Sequence, residues 1–411
     1  MYDLIIPDQF SISANVYVQM KGSKYWESYC WSSNYAYVSA IYSLLYFLVT
    51  LNLIFLLNYS LPLSYTPFDP VYCSCIFPGV CPPPENEELS ACLMEILSRI
   101  TPSADEMVAV GTLTARVIEG LESLALGKST ANFGIQGASL VGSSKKGTML
   151  DGHKIADVVV LLRDLPTIEL TRQIGQVFTE KLGGCETIYQ PYGFDVEQEG
   201  VCVRVVFAVK NFDEISNVQQ GVHVSQPDQK LAHFAILHAR WAEQNASHPN
   251  IKALIRLLKD LRRRFVGFSY LNPWQLDMIA SHVIMGGPIN APLSVSAGFR
   301  RFVQILAAGF FAPSSTGLLD PFRSKQRRVH VTMSLAQQDE LCRTAQTVCK
   351  ILNLEKFQVL FYNMCPTKLI TLEELVKSAN DLPGEKISLP NPIDLELSSV
   401  TIIHKNNLPI N

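Results

Sequence analysis

Apolar residues recur at helical spacing through residues 89–100 and again through 107–126, where Val110, Leu113, Val117, Leu121 and Leu124 mark one face. Gly127 is placed to end the second helix. The period then shortens. Residues 133–141 and 156–162 are compact apolar runs that read as strands, and GVCVRVVFAVK over 200–210 alternates well enough to join the same sheet. Between them 167–182 reads as a helix, with Pro166 beside its start and Glu169 in its first turn. From Gln229 onward the pattern turns helical. Segments 230–243, 249–265, 273–285, 295–308 and 335–352 each carry the period, with Pro249 and Pro273 in first turns and Gly267 and Gly309 at exits. The expected class is α+β: a mixed-sheet lobe over 86–225 and an all-helical lobe over 226–365. Residues 366–411, polar and carrying Pro383, Pro390 and Pro392, are expected to form a weakly ordered tail.

Residues 1–85 read differently. No charged residue occurs between Glu27 and Asp69, and 40–57 is nearly continuous Leu, Ile, Val, Phe and Tyr. That length approaches the roughly 20 apolar residues of a membrane-spanning helix. Two readings stand side by side: a membrane anchor through 40–57, or a segment foreign to the mature functional unit. The Asn58-Tyr59-Ser60 triplet belongs to whichever holds. Pro78 and Pro82 to Pro84, followed by acidic residues, mark a linker.

Composition narrows the partners. The chain of 411 residues has a formal charge of -3, so no global basic field draws nucleic acid and any such contact needs a local patch. Its 10 Cys are irregularly scattered, which favours reduced thiols in an intracellular protein. Cys73, Cys75 and Cys81 form the only tight group. No His lies near them, so no metal site is expected there.

The chemistry concentrates in 141–162, VGSSKKGTMLDGHKIADVVVLL. Metal-dependent joining of nucleotides needs two carboxylates at i and i+2 of one strand, where both side chains face the same way. Here Asp157 is acidic, but 155 is Ile and 159 is Val. Gly142 and Ser143 form a tight turn able to receive phosphate oxygens, with Lys146 nearby to add charge. A second candidate is the stripe Lys252, Arg256, Lys259 and Arg263, which reads either as a solvated helix face or as a phosphate-contacting ridge. A third is apolar: Phe302, Leu306 and Phe310, with Leu341 and Val348, belong either to the chain's own core or to an interface.

The runs GSSKKGTMLDGHKIADVVVLL, HARWAEQNAS (238–247), IKALIRLLKDLRRRF (251–265) and RRFVQILAAGFFAPSSTGLLDP (300–321) together resemble the DZF domain family over about residues 90–355. The resemblance implies a nucleotidyltransferase-like lobe followed by a helical lobe similar to that of poly(A) polymerases and oligoadenylate synthetases. In active relatives of that fold an Asp-x-Asp pair would fall on positions 155 and 157, so Ile155 stands where the first acid belongs. A third acid would come from a neighbouring strand, here 201–209, which has no carboxylate and offers Arg204. The resemblance therefore implies a non-catalytic subunit rather than an enzyme. It implies a heterodimer with a larger DZF protein carrying double-stranded RNA-binding domains, acting in transcription regulation and RNA metabolism in the nucleus and also the cytoplasm. RNA or DNA would be contacted directly or through the partner. No cofactor is required. Gly142, Ser143, Lys146 and Asp157 would form a vestigial pocket with weak binding of ATP or another nucleoside triphosphate, and the interface would lie in the carboxyl-terminal helical lobe. The contrasting expectations are an active template-independent nucleotidyltransferase and the membrane-anchored variant. Members often begin with a Gly/Arg-rich arm, which the apolar segment replaces here.

Overall fold

The computed structural model describes residues 85–126, 133–211, 217–286, 291–313, 315–323, 327–361 and 368–392. The apolar run 40–57, the cysteine group 73–81 and the Asn58 triplet lie outside these. Among the described residues no helix is long and apolar enough to cross a membrane.

Two helices open the described chain, α1 (Glu87–Ile100) and α2 (Ala104–Ala125), each capped by a polar side chain, Asn86 and Ser103, that accepts an amide of the first turn. The sheet follows: β1 (Ile135–Val141), β2 (Ile155–Leu162), β3 (Glu186–Gln190), β4 (Gly193–Gln198) and β5 (Val201–Val209), in spatial order β1-β2-β5-β4-β3. Only β2 and β5 pair in parallel, and the other ladders are antiparallel, so the sheet is mixed. Between β1 and β2 lies the short α3 (Gly142–Lys146), and between β2 and β3 the helix α4 (Ile168–Leu182).

Side-chain alternation gives the sheet two different faces. Ala156, Val158 and Val160 of β2, Val203, Val205 and Phe207 of β5, and Phe194 and Val196 of β4 pack with α2 and α4 into one core. The opposite face carries Val159 and Ala208, which pack with Val141 against Ala232 and Ala239 of α5 (Gln226–Asn245). Asp157 and Arg204 sit on this second face, by the same alternation.

The remaining helices, α6 (Pro249–Arg264), α7 (Val266–Ser269), α8 (Pro273–Met285), α9 (Val295–Ala307), α10 (Leu335–Asn353), α11 (Gln358–Phe361) and α12 (Leu372–Asp381), build a larger apolar core. The α+β class is as expected, but two boundaries differ. Helix α1 places Leu89, Leu93, Ile96, Leu97 and Ile100 in the helical core and not beside the sheet. Within the expected weakly ordered tail, α12 folds and buries Leu375, Val376 and Ala379 in that core. A capping box explains its start. Thr371 accepts from the Glu374 amide while the Glu374 carboxylate accepts from the Thr371 amide, and Leu372, Leu375, Val376 and Ala379 then form one buried face.

Sheet and helices meet along α5, α6 and α8. The His238 ring stacks on the Trp274 indole with centroids 3.9 Å apart, and Trp241 meets that indole edge-on. These aromatic contacts join α5 to α8 as packing, and burial holds His238 down to about 3, as a neutral ring.

Candidate functional site

The centre of the site is a row of three side chains on neighbouring strands. Asp157 of β2 is in register with Arg204 of β5, and Arg204 is in register with Asp195 of β4. The Arg204 Nη2 lies 2.8 Å from Asp157 Oδ1, a direct ion pair. Asp195 is buried and accepts hydrogen bonds from the Tyr192 hydroxyl at 2.8 Å and from Gln190 Nε2 at 3.2 Å. Burial raises the Asp157 carboxyl above its ordinary range, and the Arg204 charge opposes that rise. Burial and then Asp195 push the Tyr192 phenol upward, which keeps it a proton donor.

The turn before this row is built around one glycine. Gly142 has φ +70°, and a Cβ there would lie 2.4 Å from Asp157 Oδ2. Any other residue meets both a left-handed backbone and a clash, so glycine lets the turn close over the carboxylate. Ser143 follows and lines the cleft. Lys146, expected to serve a phosphate, is instead committed to Asp277 of α8 at 2.5 Å, with both side chains largely buried. A buried lysine this close to a buried carboxylate is held in an ion pair across the two layers. Lys145 meets Glu243 at the surface.

The basic stripe of α6 is likewise redistributed. Arg256 donates through Nε to the Met149 carbonyl at 3.1 Å and through Nη2 to the Gly147 carbonyl at 2.8 Å. Lys259 donates to the Thr148 carbonyl at 2.8 Å and hydroxyl at 3.0 Å. Lys252 lies against Gly147. Arg256 and Lys259 latch the helix to loop 147–149, satisfying carbonyls that no regular ladder reaches, and so are not a free ridge. Arg263 pairs with Asp260 at 2.8 Å and remains partly exposed.

What these elements enclose is a cleft of about 410 Å³ lined by Gly142, Ser143, His153, Asp157, Arg204 and Asp277, with Lys146, Lys259, Arg262 and Arg263 also on its wall. Lys259 is brought down to about 8, first by burial and further by Lys146, Arg256 and Arg262. His153 is lowered by burial and then by Arg204 and Lys259. An apolar cavity of about 300 Å³ adjoins it beneath α5, between Val159 and Val206 of the sheet and Leu231 and Ala235 of the helix. The two share Gly142, Asp157 and Arg204.

A pair of divalent ions would need carboxylates converging on one point. Here Asp157 is already neutralised by a guanidinium, Ile155 takes the neighbouring position on its face, and Asp195 is one strand further out and engaged by Tyr192. The residues present do not fit a two-metal centre.

The apolar candidates resolve toward the core. Phe302, Leu306, Leu341 and Val348 are at most 1% exposed within the helical core. Phe310 packs partly buried against that core, stacked between the rings of His282 and Phe311. Phe302, Leu306, Leu341 and Val348 are therefore not exposed to a partner in the folded chain, and Phe310 keeps part of its surface.

Two site residues escape a reading of the sequence: Asp195 and Asp277. The signal for Asp195 was present, since Gly193–Gln198 alternates buried Phe194 and Val196 with Asp195 and Glu197. Asp277 lies inside a largely buried helix, with no local mark of its partner 131 positions away.

The description "DZF N-terminal domain" matches residues 56–247 and "DZF C-terminal domain" matches residues 250–375. Among solved structures the chain is similar to CdnC of E. coli MS115-1, solved with ATP, at 14% identity over 72% of this chain and 96% of that one, with a TM-score of 0.46. It is similar to a cytoplasmic RNA terminal U-transferase at 13% identity over 65% and 94%, TM-score 0.45. It is also similar to the Cid1 poly(U) polymerase at 14% identity over 68% and 99%, TM-score 0.45. The two matched domains run almost without a break through both the sheet and the helices described above, and the chain belongs to the DZF domain family.

Proposed function

We propose that this DZF chain is a non-catalytic subunit, a pseudo-nucleotidyltransferase that keeps the cleft and lacks the metal-binding acids. One observation carries the reading: Arg204 stands in register with Asp157 and ion-pairs with it at 2.8 Å, so a fixed cation occupies the position where a further carboxylate would be needed. Two Mg²⁺ ions brought to this face would meet one neutralised acid and an extra positive charge, and in-line displacement has no support there.

The role that remains is assembly. The family resemblance supports a heterodimer with a larger DZF protein bearing double-stranded RNA-binding domains, acting in RNA metabolism and transcription regulation in the nucleus. Since Phe302, Leu306, Leu341 and Val348 are spent on the chain's own core, the partner is met through other side chains of the helical lobe.

Titration of the full chain with Mn²⁺, followed by the spectroscopic signal of the free ion, tests the absence of a metal centre. The expected result is no stoichiometric high-affinity site, whereas one removed by Asp157→Ala would defeat the proposal. Affinity capture of the full chain tests the subunit role. It should retain a larger DZF partner at one-to-one stoichiometry, and recovery of the chain alone would count against it.

A further inference from the structure

Helix α2 (Ala104–Ala125) buries one face and leaves the middle of the other without a charge. Val110, Leu113, Val117, Leu121 and Leu124 pack into the core beneath the sheet, while Ala104, Val108, Gly111, Thr112 and Ala115 point the opposite way and are exposed. No charged residue occurs between Glu106 and Arg116. Exposed large apolar side chains gather at the same place: Met107 is 48% and Val108 66% exposed, with Leu126 at 75% just past the helix and Met94 at 59% on α1. A solvated helix face ordinarily carries charge along its length, and a contiguous apolar one marks a contact surface. Gly111 adds a separate observation. Glycine weakens a helix interior relative to alanine, yet an added Cβ at this position would meet nothing within 4 Å. The fold of the single chain has no use for that glycine, whereas close approach by another backbone does.

We infer that α2 is a contact between two copies of this chain, lying antiparallel across a twofold axis with Gly111 and Thr112 at the crossing. The face is complementary to itself, as such an axis requires. An antiparallel pair centred there sets Val108 against Ala115 of the second copy. On one flank Asp105 comes opposite the second copy's Arg116, and on the other flank Met107 comes opposite its Ile118. Each pairing occurs twice. Arg116 also donates to Gln198 Oε1 at 2.5 Å and to the Gly183 carbonyl at 3.3 Å, which holds its guanidinium beside the face. The charges select the antiparallel direction, since a parallel pair would set Asp105 against Asp105 and Arg116 against Arg116. By helical rise the axis lies about 13 Å from Ser103 and about 22 Å from Leu126, so Leu126 of one copy passes the start of the other's α2. There it meets the shallow groove lined by Met94, Leu97 and Pro102. The α2 face belongs to the sheet lobe, so it leaves the helical lobe for a different partner.

Sedimentation equilibrium of the full chain over a range of concentrations is the test, with Gly111→Lys and Val108→Glu beside the wild type. The wild type should reach twice the monomer mass. Each variant should weaken association roughly tenfold or more, because the twofold axis brings two like charges into an apolar centre. Lysine forms helix better than glycine, so Gly111→Lys should unfold in urea no earlier than the wild type, which separates a lost contact from lost folding. Val108→Glu, at another exposed position, gives a second reading of the same contact. A wild-type chain that stays monomeric at every concentration would overturn the inference, as would a dimer that both folded variants leave unchanged. None of these outcomes bears on the reading of the cleft, which metal titration and nucleotide incorporation decide separately.

Discussion

Replacing Asp277 with Asn removes one half of the ion pair that ties the turn after β1 to the helical core. Asp277 is 1% exposed and Lys146 is 10% exposed on their side chains, with 2.5 Å between Nζ and Oδ2. Breaking a buried pair on one side strands the other charge, at a cost of about 3–5 kcal/mol. The slight exposure of Lys146 puts this pair near the lower end, about 3 kcal/mol. Lys145–Glu243 provides an internal comparison, since it is shorter than many surface pairs at 2.6 Å yet 39% and 51% exposed. Its loss through Glu243→Gln should cost under about 1 kcal/mol. Urea unfolding followed by tryptophan fluorescence, with a common slope, converts both midpoint shifts into free energies. The double change Lys146→Met with Asp277→Leu should cost less than Asp277→Asn alone, because no unpaired charge is left behind. Equal shifts for Asp277→Asn and Glu243→Gln would show that burial does not set the strength of these pairs.

Three further outcomes follow from the same structure. Phe302→Ala should lower stability of the isolated chain by about 3–5 kcal/mol in the same urea assay, as expected for a core ring and not for an interface side chain. Gly142→Ala introduces a Cβ against Asp157 Oδ2 in a left-handed backbone, so it should destabilise the chain by about 1 kcal/mol or more and disturb the Asp157–Arg204 pair, read as a changed Asp157 titration by NMR. His282 and His330 are each held down to about 4 by burial, then by Arg301 and Arg328 respectively, from an ordinary 6.5. Between those values the unfolded chain binds more protons than the folded one, so stability should fall as pH drops from about 6.5 towards 4. Unfolding midpoints measured across that window should decline, and His330→Gln should flatten the decline.

The larger elements were legible because their signals are local. Helical periodicity placed 249–265 and 335–352 within a residue or two of Pro249–Arg264 and Leu335–Asn353, and the apolar run 156–162 marked β2. Gly142 and Asp157 could be singled out because a glycine turn before a strand carries its own chemical meaning. Two strands and α12 went unread for a different reason. Glu186–Gln190 is an edge strand with mostly exposed side chains, and α12 lies in a polar, proline-flanked stretch where a short apolar spacing, Leu372, Leu375, Val376 and Ala379, and the Thr371–Glu374 capping box are the local marks of a helix. The basic stripe shows the limit most clearly. Spacing puts Arg256 and Lys259 on one face, but only the fold brings loop 147–149 there to receive their donors. Long-range pairing likewise decides that Phe302 and Val348 are core, since the same sequence pattern suits a core or an interface.

We propose that Arg204, facing Asp157, leaves the cleft without catalysis. The most direct test is incorporation of labelled nucleotide into RNA or oligoadenylate by the full chain with Mg²⁺ or Mn²⁺. No product is expected from the wild type, and none from Ile155→Asp, because restoring one acid leaves the Arg204 guanidinium in place. Product formed by the wild type and abolished by Asp157→Ala would contradict it.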